Sequence, residues 1–169
     1  MNNDETNELA TKLAELEPGF LPYPVFDQIA RLVALPIIEF VPLRTYNGKT
    51  QVLLIDRGED DKHWAGELHT PGTVIRATDL ENDSGGNWTT FNRILHDELQ
   101  DAPVGQPHYA GSIFHKSKRG AEQAQIYWIE ITGESPVGAF YDTDNLPDSL
   151  IESQIKFINV AATHYEARM

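Results

Sequence analysis

The chain reads as a single α/β domain with a helical segment in front of it. Three observations predict this. Two helical apolar stripes fill the first 35 residues, and a proline follows each. Apolar, β-branched runs start at Ile37 and recur as far as Tyr141. Helical stripes at Phe91–Leu99 and Leu150–Tyr165 alternate with those runs, which is the α/β pattern. With 40% hydrophobic residues in 169, the chain can bury one proper core.

Taken in order, residues 4–16 form a helix with Leu9, Leu13 and Leu16 on one face, stopped at Pro18-Gly19. A second helix opens at Pro24, a good first-turn residue, and runs to Pro36. It presents Val25, Phe26, Ile29, Leu32 and Val33. These helices either cap the sheet or contribute a homodimer surface, and their short stripes favour capping. They set off an N-terminal extension, residues 1–35, from a domain spanning residues 36–169.

Strands follow at Ile37–Val41 and Gln51–Ile55, joined through Asn47-Gly48, a strong hairpin signal. The Glu59-Asp60-Asp61 run reads as solvated surface. Trp64–Leu68 reads as a short strand leading to the Pro71-Gly72 turn, with Val74 and Ile75 as a strand fragment beyond it. The insert Glu81–Asn87 is turn chemistry throughout. It either covers a substrate or is a tolerated surface insertion, and Asn87 or Thr89 caps the next helix. That helix buries Phe91, Ile94, Leu95 and Leu99. Two strands follow, Tyr109–Phe114 and Gln125–Ile131, then a last one at Gly138–Tyr141. A final helix opens at Leu146-Pro147-Asp148 and presents Leu150, Ile151, Ile155, Ile158, Ala162 and Tyr165 to the core.

Composition narrows the function. The net charge of −13 repels a phosphate backbone, so nucleic acid is not an expected partner. No apolar run approaches the ~20 residues that cross a bilayer, so no membrane association is expected. The polar, acidic start is unlike a secretory signal. There is no cysteine, which removes disulfides, thiolate metal sites and cysteine nucleophiles, and fits a cytoplasmic protein. No His-Glu-x-x-His, Gly-x-Ser-x-Gly or P-loop pattern occurs.

The chemistry concentrates on the helix after the insert. Arg93 and Asp97 stand four residues apart and share a face, and Glu98 follows directly. Two adjacent carboxylates repel, and a hard cation such as magnesium relieves that repulsion. The bland reading is a solvated helix face in which the acids pair with Arg93. His115-Lys116-Ser117-Lys118-Arg119-Gly120 is the basic cluster of an acidic chain. Lys116, Lys118 and Arg119 either attract a phosphate or keep a hairpin tip soluble. Trp64 and Trp88 are the candidates for stacking a base.

This stretch resembles the Nudix family. Pro71-Gly72-Thr73 stands where the family's glycine turn belongs, Asp79 where its first glutamate belongs, and Arg93-Ile94-Leu95-His96-Asp97-Glu98 where its arginine and glutamate run belongs. Thr73 and Gln100 replace glycines of that box, Asp97 is a shortened glutamate, and the segment between Asp79 and Arg93 is longer. Ile94 stands where the family has a metal-binding glutamate. The resemblance covers residues 36–166 and implies a mixed β-sheet packed between α-helices. It implies a metal-dependent pyrophosphohydrolase for a nucleoside diphosphate linked to another moiety. Asp97 and Glu98 would ligate magnesium or manganese. Arg93 would orient them, and Asp79 would pair with Arg93 or stabilise the junction of loop and helix. The base would come from elsewhere, with Glu122, Glu130 and Glu134 as donors. The alternative is a catalytically weakened Nudix-fold module that binds a nucleotide or small metabolite, a reading that Ile94 supports.

Overall fold

The computed structural model describes residues 1–81 and 88–168. Residues 82–87 of the polar insert, with Asn87 as a helix cap, lie outside the described residues. The strands form a seven-stranded mixed sheet. Its centre is β1 (Leu35–Tyr46), which pairs antiparallel with β2 (Lys49–Asp56) and parallel with β6 (Ala121–Glu130). The β1–β2 turn is Asn47-Gly48, with φ of 51° and 75°. Positive φ at both positions is what an Asn-Gly hairpin turn uses. Outside these strands lie β3 (Leu68–His69) on β2 and β5 (His108–Lys116) on β6. Two short strands complete the sheet, β4 (Gly72–Val74) on β1 and β7 (Ala139–Asp142) on β2.

Each face of the sheet carries a core. On one face Leu35, Ile37, Val41 and Leu43 of β1 pack against Phe157, Ile158, Ala161 and Tyr165 of α5 (Glu152–Glu166). On the other, Ile38 and Phe40 meet Phe91 and Ile94 of α4 (Trp88–Asp97). The period of two along β1 thus feeds two cores, and the sheet lies between helices. Phe91 sits between Phe40 and Tyr127, ring centroids 5.0 and 4.8 Å away. A short helix, α3 (Ala77–Glu81), precedes the insert.

The leading helices bury less than their stripes predict. In α1 (Asn3–Ala14) no residue is buried, and Leu9 and Leu13 stand about half exposed. Its start is held by a capping box between Asn2 and Glu5. In α2 (Tyr23–Leu32) Ala30 is buried and Phe26 packs on the core, while Leu32 and Val33 are exposed. Among the described residues, no helix is long and apolar enough to cross a membrane.

Three expected elements differ. Trp64–Leu68 is not a strand; only Leu68 joins one. The Asp61 carboxylate accepts the N–H groups of His63 and Trp64, both at 2.9 Å, and curls the chain, and Gly66 continues the turn at φ +67°. Asp61 also holds Arg57, 2.7 Å away, so it is an anchor rather than loose surface charge. The last helix starts at Glu152 because the backbone before it is engaged elsewhere: the Leu68 N–H donates to Ser149 and the Ile151 N–H to Leu68. Its phase buries Gln154, Phe157 and Ala161 and leaves Ile155 exposed. Thr89 lies inside α4 rather than capping it.

Candidate functional site

Arg93 projects from α4 onto the strand that follows the Pro71-Gly72 turn. It donates to Thr73 Oγ1 at 2.7 Å, to the Val74 carbonyl at 3.1 Å and to Asp79 Oδ2 at 2.5 Å. Asp79 is buried and also accepts from Thr90 Oγ1 and the Arg76 N–H. Burial pushes the Asp79 carboxyl up, but these bonds and the Arg93 charge outweigh it and hold it below the usual range. The pairing of Asp79 with Arg93 therefore stands and ties α4 to α3, while the bonds to Thr73 and Val74 fix α4 against β4.

Helix α4 ends at Asp97, so Glu98 is the first residue of the turn, still bonded through its N–H to the Ile94 carbonyl. Gln100 and Asp101 then adopt left-handed backbone, φ 48° and 57°. The Glu98 carboxylate turns back and accepts the Gly72 N–H at 3.1 Å. Asp97 is exposed, yet it lines one cleft of about 260 Å³ with Glu98, together with Asp56, Arg57 and His69. Burial pushes Glu98 up to about 7. Burial also pushes His69 down to about 4, so it is neutral at pH 7.

A second carboxylate approaches the same turn from the sheet. Glu39 of β1 is buried and pairs in register with Gly72. A Cβ placed on Gly72 would stand 2.5 Å from Glu39 Oε2, so any larger residue there would push the Glu39 carboxylate aside. Thr70 Oγ1 donates to Glu39 Oε2 at 3.2 Å and Gln154 Nε2 to Oε1 at 3.5 Å. Thr70 and Gln154 contact one another as well. Burial, and next the charge of Glu98, push Glu39 up to about 8.

The basic cluster and Trp64 come together. Lys118 donates to the His63 carbonyl at 2.8 Å and to Glu67 at 2.6 Å. Arg119 lies 2.7 Å from Glu122 and 5.0 Å from the centre of the Trp64 ring, with Arg57 and Lys118 also over that ring. Trp64 is 7% exposed. Lys116 is exposed at the end of β5. Trp88 is exposed at the start of α4, its ring against Phe91. At ~1.5 Å rise per residue it lies about 15 Å along the axis from Glu98. Of the three candidate base donors, Glu122 is buried in ion pairs, and Glu130 and Glu134 are exposed.

Sequence reasoning passed over Glu39, Thr70, His69, Arg57 and Gln154. One signal was available, a lone acid inside the apolar run Ile37-Ile38-Glu39-Phe40-Val41. Among the described residues, no group of three or more histidines or carboxylates is placed to hold a metal ion. The oxygen donors present suit magnesium's habit of taking one or two carboxylates and completing its shell with water and phosphate.

No protein-family model matches the sequence, and no curated protein matches it. Solved structures do. The NUDIX domain of Shewanella oneidensis NrtR, solved with ADP ribose, matches over 98% of this chain and 99% of its own at 15% identity, TM-score 0.59. NrtR solved with a 27mer DNA matches over 78% of this chain at 17% identity, TM-score 0.58, and the match spans 62% of that longer chain. C. elegans Ap4A hydrolase matches over 79% of this chain and 99% of its own at 10% identity, TM-score 0.55. At such identities the likeness concerns architecture alone: the mixed sheet packed between helices is the Nudix fold.

Proposed function

We propose that the chain is a metal-dependent pyrophosphohydrolase acting on a nucleoside diphosphate linked to another moiety. The observation that carries this reading is Glu98, a carboxylate held by the Gly72 N–H at the wall of a cleft shared with Asp97, Arg57 and His69. The fold is shared with a domain solved with ADP ribose and with an Ap4A hydrolase. Glu98 and Asp97 would hold magnesium or manganese, which when bound supplies Lewis acidity toward a phosphoryl oxygen. Arg93 is a positioning residue that fixes α4 through Thr73, Val74 and Asp79. Arg57 lines the same cleft and would share its guanidinium between Asp61 and a phosphate. Trp64, Lys118 and Arg119 stand beside Arg57 and would border the substrate, although Lys118 and Arg119 must first exchange Glu67 and Glu122 for it. Lys116 and Trp88 are proposed as outer contacts.

A second reading is a binding module without turnover. Ile94 favours it, being 1% exposed and packed in the core with Phe40 and Phe91, so it offers no oxygen to a cation. Phosphate release from nucleoside triphosphates, nucleotide sugars and dinucleoside polyphosphates, with magnesium or manganese, separates the two. The hydrolase reading expects metal-dependent turnover that falls on the order of 100-fold or more in Glu98→Gln. No turnover of any substrate in the panel selects the binding module.

A further inference from the structure

We infer that Glu39, from the central strand rather than from α4, supplies the oxygen donor that Ile94 lacks, and that it holds the divalent cation together with Glu98. The inference rests on the hydrolase reading above and names the missing ligand of that site.

Glu39 interrupts a stripe of β1 whose other members, Leu35, Ile37, Val41 and Leu43, are at most 4% exposed. It is itself 6% exposed. Burying a carboxylate there costs several kcal/mol unless a charge of opposite sign offsets it. Its hydrogen bonds come from the neutral groups of Thr70 and Gln154, which aim it but bring no charge. Its partner in the ladder, Gly72, leaves room for the carboxylate where any Cβ would collide, and the same glycine holds Glu98 through its N–H. Two carboxylates from different elements therefore converge on one backbone position. They repel one another, and a divalent cation removes that cost while using both. The route through α4 is closed, since Ile94 is buried among Ile38, Phe40, Leu53 and Phe91. Glu122, the other buried acid of this face, already has Arg119 and His115.

The test is manganese binding to the full chain, followed by the EPR signal of free Mn²⁺ and by the metal-dependent rise in melting temperature. Glu39→Gln keeps volume and hydrogen bonding and removes the charge. It is expected to weaken Mn²⁺ binding about tenfold or more and to abolish the metal-dependent rise, while the metal-free protein melts no lower than wild type. Glu98→Gln is expected to do the same to binding. If Glu98→Gln loses the ion and Glu39→Gln binds it as wild type does, the inference is overturned and the hydrolase reading stands. If wild type binds no Mn²⁺, both fall. Thr70→Val serves as the second variant, leaving the carboxylate but not the hydroxyl that aims it. It is expected to weaken binding about threefold, and wild-type affinity there counts against the inference.

Discussion

Glu39 and Glu122 sit on neighbouring parallel strands, on the same side of the sheet, and both are buried. They meet opposite fates. Burial pushes both carboxyls up. At Glu122 the His115 ring and the Arg119 guanidinium outweigh it, so that acid lies below the usual range. The His115 Nε2 stands 3.2 Å away, within ion-pair distance though not aligned as a hydrogen bond. At Glu39 the neighbour is Glu98, and the acid rises to about 8. One carboxylate is built to be charged in the protein alone. The other keeps its proton up to about pH 8. Burial is common to both, so the partner decides.

Breaking the paired member should cost most. Arg119→Ala leaves Glu122 buried without its principal cation, and urea unfolding should show a loss of about 3–5 kcal/mol. Glu39→Gln in the same assay should be neutral or stabilising. Arg93→Ala removes three hydrogen bonds and the partner of buried Asp79, and should cost about 2–3 kcal/mol by urea unfolding.

The pH dependence sharpens the contrast. The unfolded chain ionises Glu39 and Glu98 near the ordinary 4.5, whereas the fold delays this to about 8 and about 7. The folded state therefore binds more protons across that interval, and stability present below 4.5 is lost as pH rises through 7 and 8. His69 acts in the opposite sense, but only between about 4 and 6.5. Each proton held by the folded state alone costs roughly 1.4 kcal/mol for every unit that the pH rises. Between pH 6.5 and 8.5 Glu39 sheds most of its proton in the fold and Glu98 the remainder of its own, so the metal-free protein should lose about 2–3 kcal/mol. Guanidinium titrations at each pH should show that slope, and Glu39→Gln should flatten most of it. The smallest effect concerns Gln100, whose φ of 48° suits glycine. Gln100→Gly should raise the melting temperature, equivalent to about 1 kcal/mol.

The fold was legible where period and turn chemistry agree. Asn47-Gly48 and the stripe Phe91, Ile94, Leu99 appear as read. It was not legible where a tertiary hydrogen bond overrides local pattern. Asp61 curls Trp64–Leu68 into a turn, and Leu68 draws Ser149 and Ile151 out of the last helix. In the candidate site, the Asp79–Arg93 pair could be expected because the resemblance to the Nudix box places both in one motif. Glu39 could not, since its meeting with Gly72 depends on strand pairing across 33 residues of chain.

The parallel ladder between β1 and β6 also sets an order of events in folding. The β1–β2 hairpin closes through a two-residue turn and can form as soon as residue 56 is available. Its other edge matches residues 122–130, which lie more than 80 positions later. Closing so long a loop is slow, and until it closes the hairpin shows an open, apolar edge to other chains. A newly made chain is therefore most exposed to self-association after its first two strands are built and before its sixth. Pulse-labelling hydrogen exchange should find the amides of Lys49 and Gln51 protected before those of Ile126 and Trp128.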